Sequence, residues 1–130
     1  MTRYQLFINN EWLDPNSGRW FPSEDPFSGE AWAEIPRGDA VDADRAVAAA
    51  ANAFNGPWSR MSASERGMLL YKLGSLIERD AQKLAEIESR DNGKLIGDVL
   101  GQVRYMAKYF YYYGGLADKI QGHVVPMDKP

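Results

Sequence analysis

The hydrophobic period of this chain changes once, near Asp39, and that change limits what it can fold into. Before it, apolar residues come in short runs broken by turn formers; after it, they recur at three- and four-residue spacing. The first part reads as strands. Leu6-Phe7-Ile8 and Glu11-Trp12-Leu13 flank the turn pair Asn9-Asn10, and the cluster Asp14 to Gly18 precedes Arg19-Trp20-Phe21. Asp25-Pro26 and Ser28-Gly29-Glu30 punctuate again before Ala31 to Ile35, where apolar residues alternate as in a half-buried strand. The expectation is a small antiparallel meander of about three strands, which needs something to pack on.

The second part reads as helices. Asp42 is placed as the N-cap of a helix running to about Phe54, with Ala46, Val47, Ala50, Ala51 and Phe54 on one face. Asn55-Gly56-Pro57 ends it. Ser62 to Glu65 is a capping box, followed by an apolar stripe of Leu69, Leu70, Leu73, Leu76 and Ile77. Asp80 starts a further helix that carries Leu84 and Ile87, and Asn92-Gly93 supplies a left-handed stop. A last helix runs from about Ile96 to Tyr113, burying Ile96, Val99, Leu100, Val103, Met106, Ala107 and Phe110, with Gly114-Gly115 as its end. Ile120 and His123 to Pro126 read as a final strand.

Composition removes whole classes of function. The 130 residues include no cysteine, which excludes disulfides, thiolate metal sites and a cysteine nucleophile, and one histidine, which excludes any cluster needing two. A net charge of −3 disfavours a nucleic-acid partner. No apolar stretch is long enough for a membrane span, and the first twelve residues do not form a signal peptide, so a cytoplasmic location is expected. The tyrosines at 109, 111, 112 and 113 spread around a helix, so packing rather than one stacking platform is expected of them. Gly114-Gly115 lacks the strand-turn-helix context of a phosphate cradle.

Ten short motifs, in order, resemble the aldehyde dehydrogenase superfamily. Phe7 to Trp12 looks like that family's N-terminal strand motif. Asp25-Pro26 with Ser28-Gly29-Glu30 looks like its Asn-Pro-x-Thr-Gly-Glu segment, with Asp for the usual Asn. Ala46-Val47, Ala50-Ala51, Phe54, Trp58, Ser62 to Arg66 and Leu76 to Arg79 continue the likeness. Glu88 with Asp91 to Lys94, then Ala117 to Ile120 with Gly122 and Pro126, complete it. Arg90, Leu95 and Gly115-Leu116 depart from the commonest pattern, where leucine, proline and Gly-Trp are usual.

The resemblance implies an NAD(P)-dependent oxidoreductase that converts an aldehyde to a carboxylate. In such an enzyme a cysteine thiolate attacks the aldehyde, hydride passes to the nicotinamide, a glutamate activates water and an asparagine helps hold the oxyanion. Those residues and the nucleotide-binding elements lie beyond Pro130 in the family. By this resemblance the fold class is α/β, and the chain is expected to be a partial N-terminal, coenzyme-side segment (1–130) of a dinucleotide-binding domain, without catalytic or cofactor-binding residues, inactive alone and part of a homo-oligomer. Its parts would be strands and turns (1–37), a helical region (38–115) and the start of an oligomerisation arm (116–130). The alternative is a non-catalytic helical oligomerisation or binding module of the same ancestry. The resemblance also offers a monovalent cation site, sodium or potassium, with Glu24 and Asp91 as ligands and Ser23 beside them; the competing role for Asp91 is that of a helix-end residue before Asn-Gly.

Overall fold

The computed structural model describes residues 1–124. Among them, five strands precede five helices: β1 (Thr2–Arg3), β2 (Leu6–Ile8), β3 (Glu11–Leu13), β4 (Trp20–Glu24), β5 (Ala31–Pro36), α1 (Ala40–Asn55), α2 (Pro57–Arg60), α3 (Ala63–Arg79), α4 (Ala81–Asn92) and α5 (Ile96–Leu116). Four helices are long and α2 is a single turn, so the α/β class stands.

The strands do not form one meander. β2 and β3 make a separate hairpin, in register Leu6 with Leu13 and Ile8 with Glu11, while β1, β5 and β4 make a second sheet in that order. Asn9 and Asn10 both take positive φ, 54° and 64°, which is the two-residue turn whose twist matches paired strands. In the second sheet β4 and β5 are antiparallel, but β1 lies parallel to β5, pairing Thr2 with Ala33. The β2–β3 hairpin intervenes between β1 and its partner. Alternation of side chains cannot reveal such a pairing.

The N-cap of α1 lies three residues before the expected one. Asp39 is the N-cap and accepts from the backbone N–H of Val41 and Asp42, while the Asp42 carboxylate accepts from Asp39 N–H at 3.1 Å. Asp42 is buried, and it also accepts from the backbone N–H of Asn16, tying the turn after β3 to the helix start. Beyond Asp42, α1 buries no residue, so its alanine face with Val47 and Phe54 is open.

The core lies where α3, α4 and α5 meet, and small residues fill it. Ala81, Ala85, Val99 and Val103 form its buried centre, with Ile77 and Leu100 against them. The leucine stripe of α3 is not the buried face: Leu69, Leu73 and Leu76 are exposed, whereas Gly67 and Gly74 are buried. A Cβ on Gly67 would lie 2.5 Å from the Gly114 carbonyl oxygen, and one on Gly74 would lie 2.7 Å from the Tyr111 ring. The α3–α5 contact is set by absent side chains. Gly114-Gly115 therefore sits inside α5, which runs on to Leu116, because its glycines face α3 rather than ending the helix.

On α5, Val99, Val103 and Ala107 are buried as expected, but Ile96 and Met106 are exposed. Tyr111 stacks on Tyr71 with ring centres 5.5 Å apart and donates to Glu78 at 3.0 Å; Tyr109, Tyr112 and Tyr113 stay exposed. Gly93, at φ 75°, ends α4 as its sequence predicts. Residues 119–124 form no strand, since none of the described strands pairs with them, and Ile120 and Val124 are exposed. Val125-Pro126 of the expected last strand lies outside the described residues.

Candidate functional site

The residues singled out as cation ligands come from the end of β4 and the end of α4. The β4–β5 hairpin turns through Asp25, whose carboxylate accepts from Phe27 N–H at 2.9 Å and whose carbonyl accepts from Gly29 N–H at 2.7 Å. This turn leans on the α4 terminus, where Pro26 sits so close that a Cβ on Gly93 would meet it at 3.3 Å. Ser23, at the bulge of β4, donates its hydroxyl to the Asp91 carboxylate at 2.5 Å. Ser23 and Asp91 are therefore brought together. Glu24 is exposed and makes no hydrogen bond to Asp91.

Around this pair the charges are matched. Arg90 lies 3.9 Å from the Asp25 carboxylate and 5.3 Å above the Trp32 ring, and Lys94 reaches Glu88 at 3.2 Å. Asn92 accepts from Lys94 N–H at 3.0 Å through its side-chain oxygen and donates to Glu88 at 3.3 Å through its amide. Among the described residues, no group of three or more histidines, cysteines, aspartates or glutamates stands ready for a metal ion.

Beside this corner an apolar hollow of about 480 Å³ opens between the β1–β5 edge and the helices. Tyr4, Trp32, Ile35, Ile77, Leu84 and Met106 line it, with Glu88 and Asp91 among its few charged groups. The Trp32 indole N–H is buried without a hydrogen-bond partner among the described residues, an arrangement that costs stability. The hollow was not anticipated. Its signal was present on α4, where Leu84, Ile87, Glu88 and Asp91 recur at the spacing of one helix face.

Of the two carboxylates at the hollow, Asp91 is held by the Ser23 hydroxyl and Glu88 by the Lys94 ammonium. The arrangement joins the end of β4 to the end of α4 through the Ser23–Asp91 contact.

The profile of the aldehyde dehydrogenase family matches residues 12–130. The chain belongs to the aldehyde dehydrogenase family. It is 45% identical over 131 aligned positions to (Z)-2-((N-methylformamido)methylene)-5-hydroxybutyrolactone dehydrogenase of Acinetobacter baylyi, covering 100% of this chain and 26% of that protein. To human aldehyde dehydrogenase 1A1 it is 47% identical over 127 residues, covering 95% of this chain and 25% of that one. The crystal structure of an NAD-dependent aldehyde dehydrogenase from Sinorhizobium meliloti superposes with a TM-score of 0.89 at 36% identity, covering 94% of this chain and 25% of that chain. The chain thus spans about a quarter of the length of the relatives it matches, and its fold resembles the N-terminal part of theirs.

The family uses a nicotinamide dinucleotide, and a glycine-rich turn opening a helix is the usual cradle for its phosphates. The one glycine pair in a helical setting, Gly114-Gly115, is packed inside the α3–α5 contact and opens no strand-turn-helix cradle.

Proposed function

We propose that this chain supplies part of the scaffold of an enzyme that oxidises an aldehyde to a carboxylate with NAD or NADP, and holds none of the reacting groups itself. The family match over residues 12–130 carries this reading, and the lack of any cysteine supports it. We place the whole protein as a cytoplasmic homo-oligomer with no nucleic-acid partner. Among the described residues no helix is long and apolar enough to cross a membrane, and the net charge is −3. Residues 1–37, 38–115 and 116–130 act in this reading as strand layer, helical layer and the start of an oligomerisation arm.

A segment exchange tests it. Replacing the matching quarter of the Acinetobacter relative with these 130 residues should leave a folded chimera that reduces NAD or NADP with the hydroxybutyrolactone for which that relative is named. The isolated chain should reduce neither cofactor with any of a panel of aldehydes. A folded but inactive chimera, or an active isolated chain, overturns the reading.

A second reading is favoured by the Ser23–Asp91 contact, which brings the two expected cation-binding segments together. In it, Asp91 and a group of Glu24 bind a monovalent cation, with oxygen ligands suited to a hard ion. Thallium or rubidium soaked into crystals should give an anomalous peak within ligand distance of Asp91. If no peak appears, Asp91 serves as a tie between β4 and α4.

A further inference from the structure

The chain holds two asparagine–glycine pairs, and the fold treats them differently. Asn92-Gly93 ends α4 and Asn55-Gly56 ends α1. An asparagine before glycine is prone to spontaneous rearrangement, because glycine offers no side chain to block its own backbone nitrogen. That nitrogen attacks the asparagine side-chain carbonyl carbon, a C–N bond forms, and ammonia leaves. Water then opens the cyclic imide at either carbonyl, giving aspartate or isoaspartate. Water enters and ammonia departs, with no change of oxidation state.

The attack needs three freedoms: a side-chain amide not held elsewhere, a glycine nitrogen that can release its hydrogen bond, and a backbone that can leave the helical conformation. Asn92 is restrained at both ends of its amide, by Lys94 N–H at 3.0 Å and Glu88 at 3.3 Å. Gly93 N–H is held by the Ser89 carbonyl at 2.9 Å, and Pro26 packs against the glycine. Its helix shares the core of the molecule through Ala81 and Ala85.

Asn55 is exposed, and its side chain makes no hydrogen bond among the described residues. Gly56 N–H reaches Ala53 at 3.2 Å, a longer contact. Above all, α1 buries nothing beyond Asp42 at its far end, so its last turn can fray at small cost.

We infer that Asn55-Gly56 is a site of spontaneous deamidation in the folded chain, and that the fold protects Asn92-Gly93. Conversion places a carboxylate at the C-terminal end of α1, where the helix dipole disfavours it, and isoaspartate also inserts a backbone carbon. The end of α1 therefore loosens as the protein ages.

The test is peptide mass spectrometry of the 130-residue chain incubated at mildly alkaline pH, with and without urea. Circular dichroism establishes that the urea-free sample stays helical. In that sample Asn55 should convert several-fold faster than Asn92. In urea the two pairs should convert at similar rates, because each is then simply asparagine before glycine. A Glu88→Ala variant, which releases one end of the Asn92 amide, should raise Asn92 conversion and leave Asn55 unchanged. The inference is overturned if Asn92 keeps pace with Asn55 in the folded chain, if Asn55 converts only in urea, or if the urea-free difference persists unchanged in urea.

Discussion

Two kinds of glycine stand on the helices, and they answer to substitution in opposite senses. Gly67 and Gly74 of α3 meet α5 so closely that an added Cβ would lie 2.5 Å from the Gly114 carbonyl oxygen or 2.7 Å from the Tyr111 ring. Gly101 of α5 has nothing within 4 Å of the same position. Alanine improves helix propensity at all three, by about 1 kcal/mol. At Gly67 and Gly74 the gain is outweighed by overpacking, typically about 1–3 kcal/mol when the neighbour is backbone or a packed ring. We therefore expect Gly67→Ala to lower the denaturant midpoint and Gly101→Ala to raise it. The second change should be worth about 0.5–1 kcal/mol, the usual cost of a mid-helix glycine. Equal responses at the two sites would show that α3 and α5 do not meet through their glycines.

At the level of elements, helix starts depend on carboxylates that titrate. Glu65 accepts from Ser62 N–H at 2.7 Å and from the Ser62 hydroxyl at 2.9 Å, and these bonds hold its pKa below the ordinary 4.5. Asp39 is held below 3.8, first by the Asn16 amide and then by the N–H groups it caps. Each group binds its proton less readily in the folded chain than in the unfolded one. Its contribution is thus fully present above the unfolded value and is lost as pH falls through that value toward the lowered one. Stability should fall as pH drops below about 4.5, and Glu65→Gln should flatten the upper part of that decline. Denaturation midpoints measured across this range check it; a decline identical in the variant would remove Glu65 from the account. Ser62→Ala, which removes the other half of the same box, should cost about 1 kcal/mol at neutral pH. The Ser62–Glu65 box was legible because serine and glutamate hold distinct places in it. The α1 box was not, because aspartate fills both places and nothing in the sequence says which one caps. Periodicity likewise announced α3 but not its buried face, since a leucine stripe outweighs two glycines in any hydrophobic pattern. The corner at Ser23 and Asp91 was legible only in part. The motif named both segments, but a contact across 68 residues of sequence depends on how the hairpin turn leans on α4.

For the molecule as a whole, the decisive property is which side chains its own fold leaves uncovered. Among the described residues the fully buried ones are small, Val99 being the largest of them, while Phe54, Met68, Leu69, Leu73 and Tyr109 are exposed. Apolar surface contributes roughly 25 cal/mol per Å² when removed from water, so such faces favour covering by another surface. On α1 the uncovered face includes Val47 at 69% and Phe54 at 67% exposure. In the enzyme proposed above, the remaining three quarters of the protein would cover part of this surface. The isolated 130 residues have only other copies of themselves for that purpose. We therefore expect the isolated chain to bind an environment-sensitive apolar dye and to self-associate with rising concentration. Polar replacements on one face, Val47→Glu with Phe54→Gln, should reduce both without loss of helix, because neither side chain is buried in the monomer. Light scattering coupled to size exclusion, with dye titration beside it, measures the two effects together. A monomer that binds no dye at high concentration would show that the exposed faces are tolerated in water. It would then count against the covering role assigned to the rest of the enzyme.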